Sequence, residues 1–173
     1  MTPVMRKPIA FLDRDGVINI DKGYVHRPQD FELVAGVATA IQRLRQAGYW
    51  IVVVTNQSGI GRGLYTEADM HALHDHMKAK LISDGAEIDK IYHCPYHPQA
   101  TVARYKADHP DRKPAPGMLL RAFRDLDARR EGSFLVGDKD TDLQAAAAAG
   151  IPGHLFTGGD LAPFIDRLLT AKA

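Results

Sequence analysis

The sequence has a single cysteine, Cys94, among its 173 residues. An internal disulfide framework is therefore excluded, and the expectation is a reducing compartment. A surplus of either charge is missing as well, since 22 Lys and Arg face 21 Asp and Glu. Without such a surplus there is no electrostatic footprint for nucleic acid or for an anionic membrane surface. Long apolar runs are also absent. Met1 to Lys7 carries basic residues but leads into a short strand-like segment, and nothing resembles a signal h-region or a membrane span. Internal repeats, linkers and low-complexity tracts are lacking, and the run Ala145 to Ala149 is simply a good helix former. These absences leave a cytoplasmic globular chain with no nucleic-acid or membrane partner, expected to be a monomer. Its 45% hydrophobic content is enough for a core, so one domain over residues 1–173 is expected.

Short apolar runs alternate with longer helical patterns. Strands are predicted at Ile9 to Leu12, Trp50 to Val54, Lys90 to His93, Ser133 to Val136 and His154 to Phe156. Helices are predicted at Val34 to Ala47, Glu67 to Ser83, Met118 to Leu126, Thr141 to Ala149 and Asp160 to Leu169. Thr66 reads as the N-cap of the second helix, with Asp69 completing a capping-box variant. Residues 94–116 read as an irregular stretch rich in Pro and His. Alternation of this kind implies an α/β fold, a doubly wound, Rossmann-like parallel sheet with helices on both faces. Such sheets bind ligands beyond the carboxyl ends of their strands.

Three predicted strands run into polar or acidic residues. Asp13-Arg14-Asp15-Gly16 follows the first, Thr55-Asn56-Gln57-Ser58-Gly59 the second and Gly137-Asp138-Lys139-Asp140-Thr141-Asp142 the fourth. Asp13 and Asp15 are two apart and point the same way in extended chain, while Gly16 permits a sharp turn behind them. Crowded carboxylates repel unless a cation lies between them or one keeps a proton. Asp138 arriving from another strand would complete a hard oxygen site suited to Mg²⁺. Asp13 can then attack phosphorus, and Asp15 can protonate a leaving alcohol and later activate water. Taken alone, Asp-x-Asp-Gly also reads as a turn. A calcium loop is excluded, because Gly16 comes too soon and no Glu follows in register.

Thr55 offers a hydroxyl and a backbone N–H to a phosphoryl oxygen, or is simply a β-branched residue ending a strand. Ser58 to Gly63 is either an anion cradle or an ordinary flexible loop. Lys113 lies just before a helix with Pro116 in its first turn, and a lysine beside a helix N-terminus suits phosphate.

Together, the Asp pair, the Thr, the Lys and the Gly-Asp, in that order, resemble the four motifs of the haloacid dehalogenase (HAD) superfamily of phosphohydrolases. Phe11 to Gly16, Asp21 to Val25, Val54 to Gly59, Cys94-Pro95, Arg112-Lys113-Pro114 and Pro116-Gly117-Met118 are similar to the D,D-heptose 1,7-bisphosphate phosphatases. Histidinol-phosphate phosphatases are close relatives of that group. The resemblance implies Asp13 as nucleophile and Asp15 as general acid/base, with Thr55 and Lys113 holding the transferring phosphoryl group. It implies Mg²⁺ on Asp13, Asp138 and the backbone carbonyl of Asp15. It also implies a small phosphorylated sugar meeting Asp21, Lys22, Gly23, Tyr24, Asn56, Gln57, Ser58, Arg112 and Lys139. Arg112 is apt for a second phosphate, because its planar fork binds phosphate bidentately.

One feature departs from that family. Its members usually carry a structural zinc on a Cys-x-His pair and a later Cys-x-Cys pair, where this chain has Cys94, Tyr96, His109 and Asp111. Structural Zn²⁺ is expected to be absent. The remaining candidate set is Cys94, His97, His109 and Asp111, and otherwise Pro95, Pro98, Tyr105 and Pro110 are expected to brace the loop. Only residues 16–54 separate Asp15 from Thr55, which leaves no room for a cap domain. A receiver-type signalling domain would use similar residues, but its phospho-acceptor lies on a third strand. Here the third strand ends in His93-Cys94-Pro95, with no Asp.

Overall fold

The computed structural model describes residues 4–172; the first three residues and the last of the expected 1–173 unit lie outside the described residues. Five strands form one sheet: β1 (Pro8–Leu12), β2 (Trp50–Asn56), β3 (Lys90–Cys94), β4 (Arg129–Gly137) and β5 (Gly153–Leu155). All pair in parallel, in the order β3-β2-β1-β4-β5. The chain winds outward from β1 in one direction through β3 and then returns to the other side. The point of reversal lies between β1 and β4, where doubly wound sheets open a crevice.

Six helices connect the strands: α1 (Val37–Gln46), α2 (Ser58–Gly61), α3 (Glu67–Ser83), α4 (Gly117–Asp125), α5 (Asp140–Ala148) and α6 (Leu161–Ala171). Strand alternation divides the core in two. Ala10, Leu12, Ile51, Val53, Phe134 and Val136 pack towards α1, α3 and α6. Ile9, Phe11, Val52, Val54 and Leu135 pack towards α4 and α5. Every residue of β1 is buried, which fits a central strand covered on both faces. A third, smaller cluster of Ile60, Tyr65, Met70, Ala100 and Tyr105 sits under the loops beside the C-terminal edge.

The predicted strands and helices all occur, and α3 keeps its predicted bounds with Thr66 and Asp69 forming a reciprocal capping box. Several edges are corrected. The first helix begins at Val37, not Val34, because the Val34 N–H donates to Ile18 O and Leu33 bridges Asn19. β2 continues through Thr55 and Asn56, which pair with His93 and Cys94, so both are strand residues. β4 starts at Arg129, where exposed charged residues hid the extension from an apolar-run reading. Pro116 is the N-cap of α4 and lies outside its first turn. The glycine-rich Ser58–Gly61 segment folds as the short helix α2, with a loop only after it.

Candidate active site

The carboxyl ends of β1, β2 and β4 converge as the sequence predicts. Asp13 follows β1 and is tied to β4 by its N–H, which donates to Val136 O at 3.0 Å. Lys113 enters from the loop before α4 and is buried. Its Nζ lies 3.0 Å from Asp13 Oδ1, 2.5 Å from Asp142 Oδ1 and 2.9 Å from Val54 O. Its backbone is fastened to β2 from both sides: Lys113 N donates to Asn56 Oδ1 and Asn56 Nδ2 donates to Lys113 O, each at 3.0 Å. Asn56, expected to meet substrate, therefore has its amide engaged in holding Lys113.

Asp142 stands in the acidic segment after the fourth strand, but the sequence reading gave it no role. It lies in the first turn of α5, and its Oδ2 accepts the N–H groups of Asp138 and Lys139 at 3.2 and 3.1 Å. The signal was available: an acidic residue two positions into a helix that follows the Gly-Asp strand end. Asp13, Asp138 and Asp142 each bring an oxygen within 4.8 Å of the others. Burial pushes the Asp13 carboxyl up to about 8, against the pull of Lys113, while Asp142 and Asp15 add to the rise. Burial also draws the Lys113 ammonium down, but Asp13 and Asp142 outweigh it and hold it above the ordinary lysine range.

The acidic cluster fits a hard cation on two observations. Asp138 Oδ1 is buried with no hydrogen-bond partner, and burial lifts the Asp138 carboxyl above its ordinary range. An oxygen in that state needs positive charge. Two glycines make room for these carboxylates. Gly16 has a φ of +89°, and a Cβ there would run into the Asp138 carboxylate. A Cβ on Gly137 would likewise run into Asp142.

Asp15 stands beside Asp13 in a more open position. Arg14, between the two, is completely buried and grips Asp15 with Nη2 at 3.0 and 3.1 Å from its oxygens. Arg14 also donates to Val25 O at 2.8 Å and meets His74 Nε2 at 3.2 Å. His74 is buried, and burial followed by the Arg14 charge draws its pKa down to about 3. The imidazole is thus neutral and can accept from the guanidinium. Gln57 bridges Asp15 and Thr55, with Nε2 3.2 Å from Asp15 Oδ2 and 2.8 Å from Thr55 Oγ1.

Above this floor opens a cavity of about 440 Å³. Of the residues expected to meet substrate, Asp21, Gly23, Tyr24, Asn56, Gln57, Ser58, Arg112 and Lys139 line it. Lys22 does not; it turns to Glu32 at 3.0 Å. The zinc candidates are not gathered. Cys94 is buried, with Sγ directed to Tyr96 O, and His97 Nδ1 accepts from Gln99 N. His109 stacks flat on Tyr96 at 4.1 Å, and Asp111 pairs with Arg121 at 3.0 Å. Among the described residues no group of three ligands forms there.

The chain is similar to known proteins. Residues 111–164 match a family model described as "HAD-hyrolase-like". The D-glycero-beta-D-manno-heptose-1,7-bisphosphate 7-phosphatase of Rhodopseudomonas palustris is 43% identical over 164 residues, 95% of this chain and 91% of that protein. The D-glycero-alpha-D-manno-heptose-1,7-bisphosphate 7-phosphatase of Burkholderia mallei is 46% identical over 147 residues, 85% of this chain and 78% of that protein. The crystal structure of D,D-heptose 1,7-bisphosphate phosphatase from B. bronchiseptica, complexed with magnesium and phosphate, has a TM-score of 0.81 and 35% identity. That match covers 95% of this chain and 99% of the other. With its parallel sheet, its acidic floor and relatives of this identity over nearly their whole length, the chain belongs to the heptose-1,7-bisphosphate 7-phosphatase family of HAD-like phosphoric monoester hydrolases.

Proposed function

We propose that the protein removes the C7 phosphate of D-glycero-D-manno-heptose 1,7-bisphosphate through an aspartyl-phosphate on Asp13, in the supply of heptose precursors for lipopolysaccharide core. The observation that carries this reading is the pairing of one buried phosphoryl floor with two cations, Arg112 and Lys139, on the cavity above it. The floor receives the phosphate to be cleaved, and the rim cations suit the one that stays.

Asp13 attacks phosphorus as the bond from phosphorus to the sugar oxygen breaks. Asp15 gives its proton to that oxygen. It then takes a proton from the water whose oxygen attacks the aspartyl-phosphate, releasing inorganic phosphate and restoring Asp13. Lys113 and the Thr55 hydroxyl and N–H neutralise the transferring group. Asp13 and Asp138 and the carbonyl of Asp15 would hold Mg²⁺, which when bound neutralises charge between the anionic nucleophile and its anionic target. Asp142 acts through Lys113 and the α5 N-terminus. No helix among the described residues is long and apolar enough to cross a membrane, which is consistent with a cytoplasmic place for this reaction.

A phosphate-release panel tests the reading, comparing both anomers of heptose 1,7-bisphosphate with histidinol phosphate and simple sugar phosphates. One heptose anomer should give the highest kcat/KM; a preference for histidinol phosphate would overturn the assignment.

A further inference from the structure

Gln57 was expected to touch substrate, yet it is only 2% exposed. Its Nε2 donates to both Asp15 and Thr55, which uses both hydrogens of the amide. Its Oε1 accepts the Tyr65 hydroxyl. The orientation follows from the partners: Asp15 already accepts from Arg14 and Asn19, so its oxygens face the NH₂ group and the carbonyl is left to Tyr65. Tyr65 is fixed in turn. Its ring is buried with Ile60, Met70, Ala100 and Tyr105, and His26 stacks flat on it at 4.7 Å. Burial holds the phenol above the ordinary tyrosine range, so it remains a donor. Gly59 lies against the ring so closely that a Cβ there would run into it.

Thr55 is placed by β2 itself, whereas Asp15 sits on a loop beyond β1. Arg14 and Asn19 also donate to Asp15, so loss of the amide would loosen its Oδ2 rather than free the side chain, and would disturb Asp15 more than Thr55. We infer that Tyr65 and Gln57 are positioning residues: Tyr65 locks the Gln57 amide, and the amide holds the Asp15 carboxyl where it meets the leaving oxygen. This rests on the acid/base role proposed above for Asp15.

The discriminating property is the leaving group. A sugar alkoxide needs a proton as it departs, while p-nitrophenolate leaves without one. The experiment measures kcat/KM for heptose 1,7-bisphosphate and for p-nitrophenyl phosphate with wild type, Tyr65→Phe, Gln57→Met and the double variant. Each single variant should lose about tenfold on the sugar and stay within about twofold on the aryl ester. The double variant should lose no more than Gln57→Met, because Tyr65 acts only through the amide. Equal fractional losses on both substrates, a loss confined to KM, or multiplicative losses in the double variant would each overturn the inference. Tyr65→Phe removes a single oxygen, and melting curves for all three variants separate misfolding from misplacement. Wild type that hydrolyses p-nitrophenyl phosphate and another sugar phosphate, but not the heptose, sinks the heptose reading alone. The same comparison is then made on that other sugar.

Discussion

The floor and the rim of the cavity are built on opposite terms. On the floor, Asp13, Lys113 and Asp142 are buried and joined to one another and to the strand ends. On the rim, Asp21, Tyr24 and Lys139 are exposed and sit in turns or at a helix cap. Asp21 does little more than accept the N–H of Gly23, and Lys22 pairs with a neighbour at the surface. The floor is part of the folded interior, so its chemistry and its stability depend on the same contacts. The rim can change shape or charge without touching the core, which is where a family with different sugar preferences would vary.

The largest effect that would break this division belongs to Asp13→Asn. It should remove turnover by a factor on the order of a thousand or more, with the melting curve shifted little, because Asn keeps the shape. Chelation of Mg²⁺ should abolish phosphate release in the same way, and added Mg²⁺ should restore it. Turnover that survives the substitution would refute the nucleophile assignment, and turnover that survives chelation would refute the role given to Mg²⁺. Asp142→Ala comes next, because it removes one partner of a buried ion pair. It should cost about 3 kcal/mol of stability as well as activity, read by denaturant unfolding alongside kinetics. An Asp142→Ala protein of unchanged stability would show that the floor does not carry the fold.

Arg112→Ala probes the rim. KM for the bisphosphate should rise about tenfold, with kcat and melting temperature nearly unchanged. A fall in kcat with constant KM would place Arg112 in the floor instead. The smallest effect concerns His74, behind the floor. Unfolded, it takes a proton below about 6.5; folded, it resists until about 3. The unfolded state therefore binds more protons between those values. The stability His74 contributes is intact above about 6.5 and declines as pH falls through that window. His74→Gln, which still accepts from Arg14, should lack this decline and gain about 1 kcal/mol relative to wild type by about pH 5.5. Parallel stability curves for the two proteins from pH 7 to 5.5 would contradict a neutral buried His74.

The sheet was legible because its strands are short apolar runs with chain punctuation on both sides. Trp50 to Val54 is buried on both faces, and such strands read as unbroken hydrophobic stretches. Their ends were less legible. Arg129 to Gly132 is extended by pairing beside β1, and nothing in those exposed residues records it. Asp13, Asp15, Thr55, Lys113 and Asp138 could be proposed because each stands beside a strand end or helix start in motif order. Arg14, His74 and Tyr65 could not, since their roles arise from contacts with residues elsewhere in the chain, whereas Asp142 left a local signal at the start of α5. The 60 positions from Arg14 to His74 leave no periodic trace. Gln57 and Asn56 were found as site residues, but only their hydrogen-bond partners reveal that both face inward.

Gly16 and Gly137 give the site a vulnerability of a particular kind. Each position works by holding no atom at all, so that the carboxylates of Asp138 and Asp142 can occupy the volume a methyl group would take. A mutation there needs no altered charge and no lost hydrogen bond to be damaging; adding a single carbon displaces an acidic side chain. Rim loops can exchange residues in many directions, but these two positions accept none. Two residues that contribute no functional group thus set where the acidic side chains of the floor can lie.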